Sequence, residues 1–546
     1  MKVVIVGGVA GGASTAARLR RLDEHAEIIM LERGEYISFA NCGLPYHIGG
    51  IIPQREDLLV QTPQQMETRF KIDIRTRHQV DGIDREAQKV TITDLEKGST
   101  YEESYDYLVL SPGARPIRPP LPGIDLPGIF SLRTMDDMDG IIEYIKSRGP
   151  QRAVVVGGGF IGLEMAENLH QLGLAIDLVE MAPQVLPPLD GDMAAVVHKH
   201  LERHGVGLYL NNGVTGFSQT SEGLLVHLSS GQELATQLVL LCIGVRPETE
   251  LAQGADLTIG PRGGILVNEY LQTSDPRIYA IGDAIEFHDP FLDAPTFIPL
   301  AGPANKQGRI VANNICGLKE AYKGSQGTAI VQIFDLHAAS TGYNSRTLAQ
   351  GGKKARQVVV HPLSHAGYFP GAQTLTLKIM FDDQGRLLGA QCVGKRGVDK
   401  RIDVLATAMR GGMTVFDLQT LDLAYAPPFS SAKDPVNLAG YVAGNVLHGV
   451  MDVITWEELE ELDDAFLLDI REPGEYARGH LPGAVNIPLD SLRERLDEIP
   501  KEREIIVYCR VGQRAHVAGR ILRQRGFDKV RNLTGGYITY RAVGKP

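Results

Sequence analysis

The chain has 546 residues, 43% hydrophobic and 22% charged, with a formal net charge of −11 at pH 7. This length predicts three to five domains in a globular chain, and the acidic balance without long Lys or Arg runs argues against nucleic acid as a partner. No apolar run reaches the roughly 18–20 residues of a membrane helix, and no basic segment precedes the first apolar stretch. Five scattered cysteines favour a reducing compartment, so we expect a cytoplasmic protein with no membrane partner.

The chain opens with a predicted strand, a glycine-rich turn, a helix and a second strand. Residues 3–6 are a continuous apolar run, as expected of a parallel strand buried on both faces. Gly7, Gly8 and Gly12 would let a pyrophosphate approach the backbone, and Glu32, which ends the second strand, would bind a ribose hydroxyl. Because Val9 replaces the second glycine of the G-x-G-x-x-G pattern, an α/β unit that binds nothing stays an alternative.

A single cysteine follows this unit, in the segment Ser38-Phe39-Ala40-Asn41-Cys42-Gly43. The next cysteine in the chain is Cys242, so Cys42 has no local Cys-x-x-Cys partner. Most lone cysteines are small buried hydrophobes. Here the polar residues, Gly43 and the nearby Pro45 predict a shaped loop instead.

A second and more complete dinucleotide pattern begins at residue 153. Short strands and Pro- and Gly-rich turns are predicted between the two copies, over residues 62–150. After the strand at 153–156, Gly157, Gly159 and Gly162 match the full pattern, and Glu180 ends the next strand. A carboxylate there hydrogen-bonds the free 2′-hydroxyl of NADH and repels the 2′-phosphate of NADPH, so Glu180 predicts a preference for NADH.

Farther along, residues 273–284 predict a strand that ends at a turn flanked by glycine. This turn presents Asp283, whose carboxylate can accept hydroxyl groups from a sugar-like chain.

With these motifs, residues 1–447 resemble the flavoprotein pyridine nucleotide-disulfide oxidoreductases. The Ser-Phe-x-x-Cys signature ending at Cys42 is similar to the single-cysteine branch, which includes coenzyme A-disulfide reductases, NADH oxidases and NADH peroxidases. The oxidases and peroxidases usually have a histidine at the position of Ala10. The Gly-Gly-Val-Ala-Gly-Gly loop is similar to the coenzyme A-disulfide reductase type.

The resemblance implies an α/β fold with two Rossmann-like dinucleotide-binding domains and a homodimer formed by an α+β dimerisation domain. The FAD-binding domain would comprise residues 1–113 and 245–320, the NAD(P)H-binding domain 114–244 and the dimerisation domain 321–448. The implied FAD contacts are Gly7, Gly8, Gly12, Glu32, Arg33, Gly113, Asp283 and Ala284. The implied nicotinamide dinucleotide contacts are Gly157, Gly159, Gly162, Glu180 and Gly244.

Two tyrosines of the predicted dimerisation domain are candidate catalytic residues. Tyr425 begins a segment that resembles the family segment reaching the cysteine of the other subunit, and Tyr368 is the second candidate. Packing is the alternative role for either ring, although a buried tyrosine hydroxyl also needs a partner.

The composition changes again near residue 448. Thr455 and Glu458 predict a capped helix start. A strand over residues 505–508 then leads into the loop Cys509-Arg510-Val511-Gly512-Gln513-Arg514. Backbone N–H groups of such a loop, with Arg510 and Arg514, would favour an anionic sulfur at Cys509.

Residues 449–546 resemble a single-domain α/β rhodanese. The loop that contains Cys509, Arg510, Gly512 and Arg514 matches that family, and Tyr537 stands in place of its usual Trp. Other matching positions are Asp469, Arg471, Glu475 and His480.

Together the resemblances imply an FAD-dependent NADH:coenzyme A-persulfide or polysulfide reductase that also reduces coenzyme A disulfide. Cys42 would be the redox-active nucleophile and Cys509 the carrier of sulfane sulfur, because a fused carrier is useful where persulfide sulfur is the cargo. The implied coenzyme A contacts are Ser14, Arg18, Arg21, Ser38, Asn41, Lys71 and Lys433. The alternative is that the arginines and Lys71 are solvated surface bases, and for Lys71 the two readings are close to equal.

Two alternative functions remain open: a water-forming NADH oxidase, and a redox-sensing flavoprotein whose rhodanese domain docks a partner. The histidines show no metal-binding spacing, with His198 and His200 on a predicted surface helix, so no metal site is expected. Cys242, Cys316 and Cys392 lie among apolar neighbours and are expected in the core.

Overall fold

The computed structural model describes residues 1–289 and 291–544. They form two compact units, of which unit 1 contains residues 1–182 and 209–325. Unit 2 contains residues 183–208 and the described residues from 326 onward. The α/β class predicted from the sequence is confirmed. The predicted boundaries of the four domains stay a prediction.

Along the chain, helices separate single strands and runs of several consecutive strands. In chain order the strands are β1 Lys2–Val6, β2 Glu27–Glu32, β3 Asp73–Thr76, β4 His78–Asp84, β5 Lys89–Asp94, β6 Ser99–Ser104, β7 Tyr107–Leu110, β8 Ala114–Pro116, β9 Ile129–Phe130, β10 Arg152–Val156, β11 Ala175–Val179, β12 Gly207–Tyr209, β13 Val214–Thr220, β14 Gly223–Leu228, β15 Glu233–Thr236, β16 Leu238–Leu241, β17 Val245–Pro247, β18 Ile265–Leu266, β19 Ile278–Ala280, β20 Ile285–Asp289, β21 Ala294–Thr296, β22 Ala329–Ile333, β23 Leu336–Gly342, β24 Arg356–Val360, β25 Thr376–Phe381, β26 Leu387–Gly394, β27 Asp452–Ile454, β28 Ala465–Asp469, β29 Val485–Asn486, β30 Glu504–Tyr508 and β31 Val530–Leu533.

The helices of the same residues are α1 Ala10–Leu22, α2 Leu44–Ile48, α3 Pro63–Phe70, α4 Met135–Arg148, α5 Phe160–Gln171, α6 Gly191–Arg203, α7 Glu250–Gly254, α8 Ala301–Ile315, α9 Ser345–Gln350, α10 Val398–Arg410, α11 Val415–Thr420, α12 Pro435–Leu447, α13 Trp456–Glu460, α14 Pro473–Ala477, α15 Gln513–Gln524 and α16 Gly536–Val543. None of these helices combines the length and apolarity needed to cross a membrane.

Unit 1 contains two parallel sheets, one for each predicted dinucleotide pattern. The first sheet has the strand order β19-β7-β1-β2-β3, and the second contains the order β11-β10-β16-β9. The central residues of β1 are fully buried, as the apolar run predicted. Two proline-containing segments, residues 111–122 and 242–247, are called the crossover segments below; they pair with each other through β8 and β17.

Glycine is required where each first strand turns into its helix. Gly7 has φ +97°, a left-handed value that favours glycine, and a Cβ on Gly12 would lie 1.9 Å from the Gly7 carbonyl oxygen. The second copy repeats this constraint, since Gly157 has φ +107° and a Cβ on Gly162 would lie 1.9 Å from its carbonyl oxygen.

Two helices lie where the sequence predicted only short strands and turns over residues 62–150. These are α3 and α4, and each begins with a threonine side chain that accepts a backbone N–H of its first turn, Thr62 from Gln65 and Thr134 from Asp137. The capping pattern was therefore present in the sequence, but the surrounding prolines and glycines led to a prediction of turns instead.

The first half of unit 2 is built on an antiparallel sheet with the order β22-β23-β26-β25-β24, packed against α10 and α12. Helix α6 packs on β23 and β26 and begins beside Lys378, which is 1% exposed. The Lys378 ammonium lies 2.9 Å from an Asp190 oxygen and 3.0 Å from an Asp192 oxygen. Burial would lower the pKa of Lys378, but the two carboxylates raise it above its ordinary value, so the amine stays charged.

This packing contradicts the prediction that His198 and His200 lie on a surface helix. His200 is 6% exposed and His198 is half-buried, because α6 is covered by the sheet of unit 2 and by α16. Of the three cysteines expected in the core, Cys392 is buried, as predicted. Cys242 and Cys316 are partly exposed, so for them the prediction of a core position is only partly met.

The second half of unit 2 is a parallel sheet with the order β27-β31-β30-β28-β29. The predicted capping box at Thr455 and Glu458 is confirmed. Strand β24 holds this second sheet in place. Val359 donates its N–H to the Thr534 hydroxyl at 2.8 Å, and its carbonyl accepts the Gly535 N–H at 3.0 Å.

Candidate functional site

The first glycine turn presents a carboxylate and free helical N–H groups to the same space. Glu32 accepts the Gly8 N–H at 2.8 Å with one carboxylate oxygen and the Gly34 N–H at 2.8 Å with the other. No side chain caps the start of α1, so its first N–H groups are available to a pyrophosphate. Each Glu32 oxygen also keeps a lone pair for a ribose hydroxyl. The turn therefore fits a dinucleotide.

Asp283 lies at the carboxyl end of β19, in the short 3-10 turn Gly282–Ala284. Burial raises the pKa of Asp283, and the charge of Arg133 partly opposes that rise. A half-buried carboxyl with little charge compensation is suited to hydrogen-bonding the hydroxyls of a flavin ribityl chain, so this residue fits the predicted FAD contact.

The remaining predicted FAD contacts lie around the crossover. The Gly113 carbonyl accepts the Glu248 N–H at 3.0 Å, and the Arg33 guanidinium lies 2.7 Å from a Glu248 carboxylate oxygen. Ala284 is fully buried next to Asp283. Arg33 is thus bound to a neighbouring loop, and its role towards FAD stays a prediction.

The second glycine turn repeats the geometry of the first. Glu180 accepts the Gly158 N–H and the Ala182 N–H, each at 2.7 Å, and α5 starts at Phe160 without a side-chain cap. Gly159 has open space where a Cβ would be, whereas Gly157 and Gly162 are sterically required. Gly244, which directly precedes β17, has φ +110°. This turn also fits a dinucleotide, with the Glu180 carboxylate where a ribose would bind.

Cys42 lies in a second 3-10 turn, Asn41–Gly43, directly before α2. Ser38 has φ +45° and the Gly43 N–H donates to the Ala40 carbonyl, so the loop is shaped, as predicted. The residue is exposed, and its Sγ lies 3.9 Å from the Asn41 side-chain oxygen. A thiol held at the surface of a tight turn can be reached by a substrate.

Cys42 opens onto a cavity of about 610 Å³ within unit 1. The cavity brings together five of the residues predicted to contact coenzyme A: Ser14, Arg18, Arg21, Ser38 and Asn41. Lys71 is an exposed residue at the end of α3 and does not contribute to the lining, where Arg69 and Phe70 lie instead. Lys433 is exposed in unit 2.

Several polar residues of this cavity were not predicted. Arg69, Asn305 and Arg309 line it together with the expected arginines, and Asn305 accepts a hydrogen bond from the Ser14 hydroxyl. Asn305 and Arg309 lie on α8, which packs along α1. Their spacing on one helical face was visible in the sequence, but nothing in the sequence showed that α8 lies beside the cysteine loop.

A half-buried acid, Glu164, also lies near Cys42. The Tyr46 hydroxyl donates to Glu164 at 3.3 Å. Burial raises the pKa of Glu164 to about 7, although the hydrogen bond from Tyr46 opposes the rise. For Cys42, burial by the surrounding protein and then the charges of Glu164 and Asp283 raise the pKa of the thiol. The sequence analysis missed both Tyr46 and Glu164.

The second candidate sulfur, Cys509, is 1% exposed at the carboxyl end of β30 in unit 2. The Gly512 N–H points at its Sγ from 3.1 Å, as the loop sequence predicted. Gly512 has φ +94°, which turns the loop so that this N–H faces the sulfur. An N–H directed at this sulfur can stabilise negative charge on a persulfide carried there.

Two arginines of this domain are held by carboxylates. Arg514 makes two hydrogen bonds to Glu475, at 2.7 and 2.8 Å, and the pKa of Arg514 is raised first by Glu475 and further by Cys509. Arg471 is likewise bound to buried Asp469 and lies 4.0 Å from the centre of the Tyr537 ring. Arg510 is exposed, so only Arg514 is fixed beside the sulfur.

The predicted tyrosines form a pair on unit 2. The Tyr368 and Tyr425 hydroxyls lie 3.0 Å apart, and the residues are 77% and 48% exposed. Both rings keep much exposed surface in the single chain, and the catalytic role of the two tyrosines stays a prediction.

Comparisons with known proteins agree with this arrangement. The family model described as pyridine nucleotide-disulphide oxidoreductase matches residues 1–308. The dimerisation domain of that family matches residues 328–435 and the rhodanese-like domain matches residues 455–542.

Individual relatives match between 81% and 99% of the chain. The coenzyme A disulfide reductase of Staphylococcus haemolyticus is 37% identical over 444 residues, 81% of this chain and 99% of the relative. The crystal structure of reduced CoADR-RHD from Bacillus anthracis has a TM-score of 0.97 at 50% identity, covering 99% of this chain and 98% of that one. The NAD-dependent persulfide reductase from A. fulgidus has a TM-score of 0.93 at 39% identity, covering 99% and 100% of the two chains.

The charge of Glu164 gives a testable effect on Cys42. Near pH 9 Glu164 is ionised, because its pKa is about 7, and its negative charge disfavours the thiolate. Glu164→Gln should therefore lower the Cys42 pKa, which can be measured from the pH dependence of iodoacetamide alkylation in the reduced enzyme. Glu143→Gln, at an exposed position on α4, is the control and should leave the pKa unchanged. An equal Cys42 pKa in Glu164→Gln and the parent would contradict the assignment.

Proposed function

The chain belongs to the pyridine nucleotide-disulphide oxidoreductase family, and we propose that this enzyme is an NADH-dependent reductase of coenzyme A persulfide or polysulfide that also reduces coenzyme A disulfide. The observation that supports the proposal is the presence of two unlike sulfur sites in one chain. Cys42 is exposed to a basic cavity, whereas Cys509 is enclosed by a loop that donates an N–H to its sulfur.

The cavity at Cys42 suits the charge of coenzyme A. This molecule has a pyrophosphate and a further phosphate on one side and a thiol at the end of a long arm. Arg18, Arg21, Arg69 and Arg309 supply four guanidinium groups for the phosphates. Cys42 lines the same cavity, so a bound molecule could present its sulfur there. Lys71 and Lys433 stay predicted contacts.

FAD, when bound, would accept a hydride from the nicotinamide and supply an electron pair to sulfur. Glu32, Asp283 and the first glycine turn would hold it, and Glu180 with the second turn would hold the nicotinamide dinucleotide. These residues position the two cofactors. The reductive cleavage at sulfur belongs to Cys42.

The Cys42 thiolate would attack the sulfur that is bonded to coenzyme A. From a coenzyme A persulfide this forms a mixed disulfide between Cys42 and coenzyme A and releases hydrosulfide. From coenzyme A disulfide it forms the same mixed disulfide and releases one coenzyme A thiolate. Two electrons then cleave the mixed disulfide, which regenerates the Cys42 thiolate and frees coenzyme A. The balance is NADH, a proton and one persulfide to NAD⁺, coenzyme A and hydrogen sulfide.

Cys509 would carry sulfane sulfur as a persulfide. The Gly512 N–H and the Arg514 guanidinium, which Glu475 holds in place, would stabilise the negative charge on its outer sulfur. The exposed Tyr368 and Tyr425 pair would serve the Cys42 site of the partner in a homodimer, in which the hydroxyl that accepts from the other could donate its own hydrogen to the departing sulfur.

Two alternatives were open from the sequence. The cavity lining contains Ala10 where NADH oxidases usually have a histidine, which disfavours a water-forming oxidase. The buried Cys509, with the Gly512 N–H directed at its sulfur, disfavours a redox-sensing flavoprotein whose rhodanese domain only docks a partner, because docking does not need an activated sulfur.

Glu180 is expected to set the choice of nucleotide. The parent should use NADH at least about tenfold more efficiently than NADPH, a difference of roughly 1.4 kcal/mol, and Glu180→Gln should narrow the ratio by removing the repulsion of the 2′-phosphate. The measurement is kcat/KM for both nucleotides, with Glu222→Gln on an exposed loop as the control. Equal efficiency of the nucleotides in the parent would remove Glu180 from the ribose site.

The two cysteines should separate into two half-reactions. Cys42→Ser should abolish NADH-dependent reduction of coenzyme A disulfide and persulfide but keep sulfur transfer from thiosulfate or polysulfide. Cys509→Ser should lose sulfur transfer and keep much of the reduction of soluble coenzyme A substrates. Both assays on both variants are the test, with Cys316→Ser as the cysteine control.

If Cys509→Ser abolishes coenzyme A-disulfide reduction as completely as Cys42→Ser does, the assignment of two separate sites is wrong. If neither the parent nor the variants show turnover in either assay, the results favour the redox-sensing flavoprotein instead.

A further inference from the structure

A cluster of metal-ligating side chains lies in unit 2, away from the Cys509 loop. His200, His204 and Asp335 each contribute one ligand atom, and these atoms all lie within 4.8 Å of one another. It is the one group of this kind among residues 1–289 and 291–544. Neither the proposed reduction nor the sulfur transfer uses it.

The fold builds the cluster from two elements. His200 lies in the last turn of α6, and His204 follows four residues later as the residue that ends the helix, so both imidazoles lie on the same face. Asp335 is in the two-residue turn between β22 and β23, where Ile333 pairs with Leu336.

His200 supplies a buried nitrogen that no hydrogen bond satisfies. The residue is 6% exposed, and its Nε2 has no hydrogen-bond partner. The same atom lies 3.1 Å from Asp335 Oδ1, without the alignment of a hydrogen bond. Buried polar atoms of this kind are rare and need a partner. A cation between the imidazole nitrogen and the carboxylate would provide one.

His204 is oriented for the same role. Its Nδ1 lies 2.9 Å from the His200 carbonyl oxygen, which fixes a proton on Nδ1 and leaves Nε2 as the lone-pair donor. The ring stacks on Phe334 with centroids 4.1 Å apart and planes at 3°. A backbone acceptor and a stacking partner therefore hold the imidazole in one plane.

Lys395 is the competing cation. Its ammonium makes an ion pair with Asp335 Oδ2 at 2.5 Å, whereas Oδ1 faces the histidines. The Lys395 side chain is 45% exposed, so its amine can move into water when another cation binds the carboxylate.

We propose that His200, His204 and Asp335 form a binding site for a first-row divalent cation of the zinc type, completed by water. Two imidazoles and one carboxylate suit zinc, nickel or cobalt, whereas magnesium prefers oxygen ligands alone. The bound ion would join the end of α6 to the β22–β23 turn and stabilise the folded chain in proportion to its occupancy.

The test is calorimetric titration of Zn²⁺ into the FAD-loaded full chain that also contains Cys42→Ser and Cys509→Ser, since both thiolates would compete for zinc. This background should bind one Zn²⁺ per chain at the cluster. His204→Ala and Asp335→Asn should each weaken that binding by at least about tenfold. Both residues are only partly buried or exposed, so these variants should fold.

Two further variants in the same background separate ligation from general effects. Lys395→Met should tighten zinc binding, because it removes the competing ammonium from Asp335. His288→Ala should leave it unchanged, although His288 also faces a single carboxylate, Asp293 at 3.1 Å. Excess Mg²⁺ should not displace the zinc.

The proposal is overturned if the background binds no Zn²⁺, or if His204→Ala binds it as tightly as the background. It is also overturned if Lys395→Met leaves the affinity unchanged, or if Mg²⁺ displaces Zn²⁺.

Discussion

Three turns that follow buried strands each place a backbone N–H on a carboxylate or a sulfur atom, and the candidate cofactor and sulfur sites depend on this contact. The consequence is a repeated local design, in which a strand ends, glycine lets the chain turn, and a carboxylate or sulfur receives the free N–H. The three pairs are Gly8 with Glu32, Gly158 with Glu180, and Gly512 with Cys509. The first two pairs leave oxygen lone pairs for ribose hydroxyls. The third places sulfur itself in the position of the anion, so one structural constraint underlies both cofactor binding and sulfur chemistry.

Within unit 2 the Cys509 loop is connected to the antiparallel sheet through hydrogen bonds. Val359 of β24 binds Thr534 and Gly535, and the Tyr537 N–H a short distance along donates to the Cys509 carbonyl at 2.9 Å. Strand β24 thereby supports the segment that closes the sulfur loop. Helix α6 is fixed to the same sheet by the buried Lys378 and its two carboxylates. Removing only one partner of such a buried ion pair would leave a buried charge without compensation. This costs far more stability than removing one partner of an exposed ion pair.

The sequence allowed most of the fold and the main chemical groups to be predicted, because the signals are local. Glycine spacing, a carboxylate at a strand end and the Cys509 loop each lie within a few tens of residues. The parts that were missed depend on distant packing. Glu164 lies in a predicted helix, yet only the fold brings its carboxylate to the Tyr46 hydroxyl near Cys42. The position of Arg309 in the cavity lining depends on the packing of α8 along α1. The burial of His200 depends on α6 lying under a sheet whose strands come much later in the chain.

The most direct test of the account is the stoichiometry of the reaction with coenzyme A persulfide under anaerobic conditions. The account predicts that one NADH is oxidised for each hydrogen sulfide released and each coenzyme A thiol formed, without oxygen. This ratio follows from one electron pair that cleaves one mixed disulfide at Cys42. NADH oxidation that requires oxygen, or that proceeds without an equal release of sulfide, would contradict it.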